Sequence, residues 1–442
     1  MLDNVIILKM EVYNRDLDGV KSKGKILFTH WDGGRGHINR IIDIAKESKI
    51  RGYRIGLITT AAIKNSFSSS IFDSVYSIPT RPRVQSPLSY KLPLYSHARS
   101  HGQRQRGLGF CKDFILGVNR LEELAIGKFN PDVIVNDYRD TIKNITDRLS
   151  IPLVSIVQSN GHVNGQRLGW FLDVDDTNIP SCLNEFNEAR YELGLSELFD
   201  ERDLFMGDIQ IVPSIPEIDP VNDELSSTWH VGLLSSLKSM PDGGDCIDVD
   251  SLADNYIVCN ITAINRQRYG QDILLKKVPQ ELDLDVISTG ESIGNTETIQ
   301  RRLGRYIARQ YINYDQVLPH CGAFVSYGGH GSTLKALTYG VPILGLGAFS
   351  SEQRGTLENI CNYGAGIVIP HGSQLESIVA PDMDNMNIYG NWSTTITHEK
   401  TVEAIEEVLH DSYAVQAMKL AIKLRQCGGS VKVVNLIEQR FA

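Results

Sequence analysis

The sequence has no cysteine pair with the spacing of a zinc site or a disulfide framework. Its seven cysteines are scattered, and no two of them show C-x-x-C spacing. Scattered single thiols fit a reducing compartment. Long hydrophobic runs are also missing, because stretches such as 341–349 fall far below the roughly 20 residues that cross a bilayer. Residues 1–19 lack the basic start of a signal peptide. We therefore expect a cytoplasmic protein without a transmembrane segment.

An excess of positive charge is absent too. The chain carries 44 Lys and Arg against 53 Asp and Glu, a net charge of −9. This balance argues against nucleic acid or an anionic membrane surface as the main partner. With 42% hydrophobic and 22% charged residues the composition is that of a folded globular protein, which excludes a disordered or coiled-coil chain. At ~100–200 residues per domain, 442 residues predict two or three domains.

Short apolar runs alternate with longer amphipathic stretches from Lys25 onward. This pattern predicts buried strands at 25–30, 53–60, 132–137 and 152–159, with helices at 38–49, 114–128 and 141–149. The rhythm restarts with strands at 256–262, 284–290, 322–329 and 341–347, and ends in a helical stretch at 400–439 broken at 427–429. Such alternation predicts βαβ units and mainly parallel sheets.

Composition shifts divide the chain. Residues 236–255, within a stretch rich in Gly, Pro, Ser and Asp, predict a linker between domains at 1–235 and 256–442. Residues 1–23 lie outside the strand–helix rhythm and are either an added arm or an edge strand. The segment 81–107 has three prolines, five arginines and no acid. It is either a solvated excursion or a mobile lid beside a ligand site.

The first motif is HWDGGRGHINR at 30–40, directly after a predicted strand. Its glycines permit a tight turn: Gly33, Gly34 and Gly36. His37 then falls at the start of a helix, and Asp137 ends a neighbouring strand. A carboxylate bonded to one ring nitrogen fixes the histidine tautomer, so we expect a His–Asp general base. The alternatives are a phosphate-binding turn with an incidental histidine and a helix N-cap role for Asp137.

The second motif lies within residues 318–359. A predicted strand runs into Gly328-Gly329-His330-Gly331-Ser332-Thr333, and a helix follows. Backbone amides of this loop, with the hydroxyls of Ser332 and Thr333, would form an anion cradle at a helix N-terminus. The plain alternative is a tight glycine turn. The loop lacks the GK[ST] ending of a Walker motif, so ATP hydrolysis is not indicated.

Together these motifs resemble glycosyltransferase family 1, and especially its bacterial macrolide and antibiotic glycosyltransferases. The likeness rests on DGGRGH, Asp137, HVGLL at 230–234 and LPHC…GGHGSTLKALTYGVPIL…EQ, and it covers about residues 24–440. It implies the α/β GT-B fold, in which two Rossmann-like domains face each other across a central cleft and the C-terminal helix returns to the N-terminal domain. The N-terminal domain would bind the acceptor, and the C-terminal domain the nucleotide sugar.

The resemblance also implies site residues. His37 matches the family's general base and Asp137 its orienting carboxylate. Donor-contact positions fall on Tyr311 for base stacking, Ile312 for the base edge, and Glu352 with Gln353 for the sugar hydroxyls. The positions that would contact the diphosphate are Gly329, Gly331, Ser332, Thr333 and Tyr327. At the position of Tyr327 the family usually has a histidine, and His330 could take the role of that histidine. Lys335 stands where many members have a ribose-binding glutamate. Since lysine cannot accept hydrogen bonds, this change favours a dTDP donor over a UDP donor.

The sequence thus predicts an inverting glycosyltransferase that needs no cofactor or metal. It would move a sugar from a dTDP- or UDP-sugar to a hydroxyl of a small natural product. D-x-D triplets at 173–175, 248–250 and 382–384 do not follow buried strands, so no metal site is predicted. Two alternatives stay open: a lipid-linked or cell-envelope acceptor, and a catalytically silent GT-B partner protein, which Tyr327 and Lys335 keep in play. The sequence leaves the acceptor, the sugar and a homodimer open.

Overall fold

The computed structural model describes most of the chain. The described residues are 10–14, 22–31, 35–60, 71–79, 111–166, 183–222, 227–234, 247–253, 255–260, 275–290, 297–346, 351–369 and 397–441. Gly33, Gly34, the segment 81–107 and residues 236–246 of the predicted linker lie outside the described residues. The chain splits into two compact units. Unit 1 is Met1–Pro216, Pro220–Ser236 and Cys427–Ala442, and unit 2 is Glu217–Asp219 with Leu237–Gln426.

Unit 1 is built on a sheet that has eight strands within the described residues. They are β1 (Glu11–Asn14), β2 (Lys25–His30), β3 (Arg54–Thr59), β4 (Ser74–Ser77), β5 (Val133–Asp137), β6 (Leu153–Ile156), β7 (Ile209–Val212) and β8 (Thr228–His230). Their order is β1-β4-β3-β2-β5-β6-β7-β8. All neighbours pair in parallel except β1, which pairs antiparallel with β4. Part of the predicted arm at 1–23 is therefore an edge strand.

Helices cover both faces of this sheet. They are α1 (Arg35–Ile50), α2 (Lys112–Phe129), α3 (Ile142–Leu149), α4 (Leu183–Glu192) and, from the end of the chain, the helix Gly429–Phe441, numbered α10 below. Ile38, Ile41 and Ala45 lie on one face of α1 because they are three and four residues apart, and they are buried with Val433 and Ile437 of α10 in one core. The C-terminal helix thus packs on the first helix of unit 1, as the resemblance implies.

Unit 2 has a sheet with seven strands in the described part of the chain. They are β9 (Tyr256–Asn260), β10 (Asp285–Thr289), β11 (Glu297–Gln300), β12 (Arg305–Arg309), β13 (Ala323–Ser326), β14 (Ile343–Leu346) and β15 (Gly366–Ile369), in the order β11-β12-β10-β9-β13-β14-β15. Only β11 is antiparallel to its neighbour. The helices are α5 (Tyr314–Val317), α6 (His330–Thr338), α7 (Ser351–Asn362), α8 (His398–Val408) and α9 (Asp411–Gln426).

Each unit is therefore an α/β layer structure around a mainly parallel sheet, as the sequence predicts. In such sheets the turns that follow the carboxyl ends of the strands carry ligand-binding groups. Both motifs stand at such turns, since α1 follows β2 and α6 follows β13. No helix of the described residues is long and apolar enough to cross a membrane.

Candidate active site

The first site in unit 1 joins α1 to the end of β5. The Nδ1 atom of His37 lies 2.7 Å from Oδ1 of Asp137, although the two residues are 100 positions apart. They meet because β2 and β5 are parallel neighbours in which His30 pairs with Asp137, and α1 starts shortly after β2. The Asp137 side chain is fully buried, whereas 15% of the His37 side chain is exposed. A buried carboxylate therefore orients a histidine that solvent can reach.

Arg40 is a third member of this site, which the sequence analysis missed. Its Nε donates to Oδ2 of Asp137 at 2.7 Å, and its Nη2 donates to Oδ1 at 2.9 Å. Its Nη1 donates to Oε1 of Gln158 at 3.2 Å. Because Arg40 follows His37 by three residues on α1, both side chains point from the same helix face. That spacing was the only signal in the sequence.

The charges around Asp137 oppose the cost of its burial. Burial alone would raise the pKa of Asp137, but the Arg40 guanidinium and then His37 outweigh it, so the pKa lies below its ordinary value. The carboxylate is therefore ionised at neutral pH. The ionised carboxylate accepts a hydrogen bond from Nδ1–H of His37. Nε2 is then the ring nitrogen that can take a proton.

Two aromatic rings flank His37. The Trp31 ring is perpendicular to the imidazole with centroids 5.3 Å apart, and the Tyr138 ring lies at 5.7 Å. Tyr138 follows Asp137 directly and has a φ of 58°, a left-handed conformation that is uncommon for a tyrosine. A side chain at Gly161 would clash with the Tyr138 phenol. Strain and close packing thus fix this ring beside the histidine.

A second histidine, His30, is buried at the end of β2. Its Nδ1–H donates to the Trp31 carbonyl at 2.8 Å, and its Nε2 accepts from the Thr59 hydroxyl at 2.8 Å. Burial lowers the pKa of His30 to about 4. The ring is therefore neutral at pH 7 and adds no charge beside His37.

The second site, in unit 2, is the turn between β13 and α6. Gly328 has a φ of 87°, and a Cβ there would lie 2.5 Å from the Gln353 carbonyl oxygen. Glycine is needed at this position for both reasons. The turn is braced from within, because the Ser326 hydroxyl accepts from the Gly328 amide at 3.0 Å and bonds the Thr333 hydroxyl at 2.7 Å. Thr333 is fully buried, so its hydroxyl supports the loop from inside, in contrast to the predicted anion contact.

The start of α6 presents backbone amides. The first amide that bonds back within the helix is that of Thr333, to the Gly329 carbonyl at 3.0 Å. The amides of residues 330–332 therefore have no partner inside the helix, and the positive end of the helix dipole lies at the same point. Ser332 is partly buried, and its hydroxyl donates to the Gly329 carbonyl at 3.2 Å. This geometry can hold an anion.

His330 and Tyr327 take different positions in this turn. The His330 imidazole is buried, with Nε2 3.2 Å from Oδ2 of Asp219, one of the three residues 217–219 that group with unit 2. The side chain of His330 thus contacts a carboxylate. At this position the group that can bind an anion is the backbone amide. The Tyr327 ring lies against Gly329, where a Cβ would come within 2.9 Å of the phenol oxygen.

The remaining predicted donor residues lie on other elements of unit 2. Glu352 and Gln353 are in the first turn of α7, and the Gln353 backbone packs against Gly328, so the structure brings this pair to the β13–α6 turn. Tyr311 and Ile312 follow β12. Tyr311 is partly exposed, and Ile312 is 6% exposed.

Lys335 is part of an ion-pair cluster. Its Nζ lies 2.5 Å from Oδ1 of Asp315, which also accepts from the Tyr339 hydroxyl at 2.5 Å. Burial, followed by this bond, raises the pKa of Tyr339 to about 12, so the phenol keeps its proton. The ammonium of Lys335 is thus held by the carboxylate of Asp315, which lies in α5, three residues after Ile312. Asp315 was not among the site residues predicted from the sequence.

Two further predictions concern glycine and metal. Gly36 lies inside the first turn of α1, outside the left-handed region, and a Cβ there would meet open space, so this residue does not form the predicted turn. Its neighbour Gly34 lies outside the described residues. Among the residues that the structure describes, no group of three or more His, Cys, Asp or Glu side chains could hold a metal ion.

Comparison with known proteins gives one kind of match. No family model matches the sequence, and no curated protein matches it. Solved structures do. The glycosyltransferase of kitacinnamycin has a TM-score of 0.69 at 15% identity, covering 95% of this chain and 100% of that one. The calicheamicin glycosyltransferase CalG4 has a TM-score of 0.65 at 16% identity, and the match covers 95% of this chain and 98% of that one. The spinosyn rhamnosyltransferase SpnG in complex with thymidine diphosphate has a TM-score of 0.64 at 15% identity, and the match covers 94% of this chain and 100% of that one.

These matches extend over nearly the whole of each chain. At such low identity they establish the fold. The chain has the GT-B fold of natural-product glycosyltransferases, with two Rossmann-like domains, as its sequence motifs predict.

Proposed function

We propose that this protein is a glycosyltransferase that moves a sugar from a nucleotide-diphosphate donor to a hydroxyl group of a small-molecule acceptor. The transfer inverts the anomeric carbon and needs no metal ion. The observation that carries the proposal is the contact of His37 with the buried carboxylate of Asp137 at 2.7 Å. A structural histidine would not require an ionised carboxylate behind a solvent-accessible ring.

The chemistry assigned to this pair is general-base catalysis. Nε2 of His37 takes the proton of the acceptor hydroxyl while its oxygen attacks C1 of the sugar. The bond from C1 to the diphosphate breaks, and the electron pair leaves with the diphosphate. Asp137 keeps the imidazole in the correct tautomer and stabilises the imidazolium that forms. Attack from the face opposite the leaving group inverts C1.

The proposed donor site is the β13–α6 turn of unit 2. The amides of residues 330–332 and the α6 dipole can stabilise the departing diphosphate, which is the work that a metal does in other transferases. Glu352 and Gln353, next to this turn, would bind the sugar hydroxyls. SpnG binds thymidine diphosphate, which supports a dTDP-sugar here. The neighbours' names support a natural product as acceptor.

The test is a transfer assay with a chelator present. The purified protein is incubated with dTDP-glucose or UDP-glucose and a panel of hydroxyl-bearing polyketide and aromatic acceptors, and NMR assigns the anomeric configuration of the product. His37→Ala is expected to lower turnover by ~10²–10⁴-fold, the usual contribution of a general base. The matched control is His410→Gln, which changes an exposed histidine of unit 2.

Three results would contradict the proposal. They are an unchanged rate in His37→Ala, a product of retained configuration, and transfer that stops when the chelator is added. The first result would show that His37 is not the general base. The second would exclude a direct displacement at C1, and the third would show that the donor site needs a metal.

A further inference from the structure

We propose that Arg40 is a positioning residue that clamps the Asp137 carboxylate against His37 and, through its charge, opposes protonation of the imidazole. The inference deepens the proposed function, on which it rests, because a general base must be neutral before it can accept a proton. Arg40 does not touch the reacting atoms in this scheme. It acts through Asp137 and His37.

The clamp is defined by its geometry. Nε and Nη2 of Arg40 bind one oxygen each of Asp137, at 2.7 and 2.9 Å, and the third nitrogen binds Gln158 at 3.2 Å. The two parallel N–H bonds fix both the position and the rotation of the carboxylate. The Arg40 side chain is 6% exposed, so water competes little for these bonds. The oxygen that accepts from His37 can therefore stay in one place.

The effect on His37 follows from distance. Nη2 of Arg40 lies 2.9 Å from Nδ1 of His37. A guanidinium has no acceptor atom, and the 2.7 Å contact with Asp137 requires a proton between Nδ1 and the carboxylate. The N–H group at Nη2 of Arg40 and the N–H group at Nδ1 of His37 therefore lie next to each other, and both carry positive partial charge. Protonation of Nε2 would add a full charge beside the guanidinium, and the negative charge of Asp137 is already offset by Arg40.

Other charged or titratable groups around His37 do not replace Arg40. Among the described residues, β2 contributes His30, which burial keeps neutral at pH 7, and β5 is followed by the phenol of Tyr138. Arg40 and Asp137 are the ion pair in contact with the ring. Removing Arg40 leaves the Asp137 charge uncompensated in a buried site, which favours the imidazolium. An ionic neighbour at this range shifts a titration by ~1–3 pH units.

The experiment reads the protonation of His37 without requiring activity. The full-length protein is labelled with ¹³C at the histidine Cε1, and the His37 signal is assigned by its loss in His37→Gln. In Arg40→Gln the midpoint of this signal is expected at least about one pH unit above that of the unmodified protein. Arg40→Lys keeps the positive charge and is expected to keep the midpoint. Arg51→Gln is the matched control, because it changes an ion-paired arginine that directly follows the same helix.

A double variant covers the case in which Arg40→Gln does not fold. Asp137→Asn/Arg40→Gln removes both charges, so no buried charge is left unpaired. Its midpoint is expected within about half a pH unit of the unmodified protein. An unchanged midpoint in folded Arg40→Gln overturns the proposal, as does a double variant displaced by more than one unit. Either result would make Arg40 a structural residue only.

The kinetic readout separates this inference from the proposed function. Where transfer is observed, the acid limb of the kcat/KM–pH profile is expected to move to higher pH in Arg40→Gln and to stay in Arg40→Lys. If no donor is used but the midpoint still moves, the proposed function fails while the charge relation between Arg40 and His37 holds. If transfer depends on His37 but the midpoint is fixed, only the role of Arg40 fails.

Discussion

The buried His30 makes the stability of unit 1 depend on pH. Its folded-state pKa is about 4, below the ordinary value of 6.5. Between these values the unfolded chain binds a proton that the folded protein does not, so stability falls as the pH decreases through this window and is fully retained above it. At 1.36 kcal/mol per pH unit, the loss is about 2 kcal/mol between pH 7 and pH 5, and it approaches roughly 3 kcal/mol below pH 4.

The assay is urea unfolding of the full chain at pH 7 and pH 5, followed by tryptophan fluorescence. His30→Gln keeps a donor and an acceptor but cannot be protonated, so its loss of stability between the two pH values should be smaller by about 2 kcal/mol. The exposed His410, changed to Gln, is the control and should behave as the unmodified protein. Equal pH dependence in His30→Gln and the unmodified protein would refute the reasoning. Asp137 does not confuse the result, because its lowered pKa affects stability only near and below pH 4.

Two predictions concern glycines. Gly328→Ala places a Cβ 2.5 Å from the Gln353 carbonyl oxygen and should weaken dTDP binding at least about tenfold by calorimetry, whereas Gly52→Ala, with a similar φ of 88° but open space, should not. Unchanged affinity in Gly328→Ala would show that the β13–α6 turn is not the nucleotide site. Gly36→Ala should stabilise α1 by about 0.5 kcal/mol in urea unfolding, since alanine favours a helix. A loss of stability would instead support the turn that the sequence predicts.

Most of the central strands were predicted from sequence because they are buried on both faces, but β4, β7 and β12, which also lie between two other strands, were not. β2 shows this, since five of its six residues are buried and the first three of these form the apolar run Ile26-Leu27-Phe28. The short edge strands β11 and β15 were not predicted. β11 alternates partly buried and exposed residues over four positions, which is too short a pattern to separate from a loop. β15 likewise has only four residues and was missed.

The C-terminal helices show the same limit. Gly428 has a φ of 89° and breaks the helical stretch where its glycine predicts a break. A second break at Leu409 and His410 was missed, because neither residue is a glycine or a proline. Thus α8 ends at Val408 and α9 begins at Asp411.

The His37–Asp137 contact could be predicted because the helix that carries His37 starts shortly after β2, Asp137 ends β5, and a parallel sheet brings these strand ends to one edge. Arg40 could not, since an arginine on an amphipathic helix usually faces solvent. Asp219 could not either, because it reaches His330 across 111 residues without a motif of its own. The partners of a recognised residue thus depend on packing rather than on spacing.

The most direct test of the central claim is calorimetric titration of the purified protein with dTDP and with UDP in buffer that contains a chelator. We predict that dTDP binds without metal and that UDP binds more weakly, because Lys335 is held by Asp315 and offers no acceptor to a ribose 2′-hydroxyl. If neither nucleotide binds, the chain does not use a dTDP- or UDP-sugar donor. That result would contradict the proposed function and favour a catalytically silent protein with a glycosyltransferase fold.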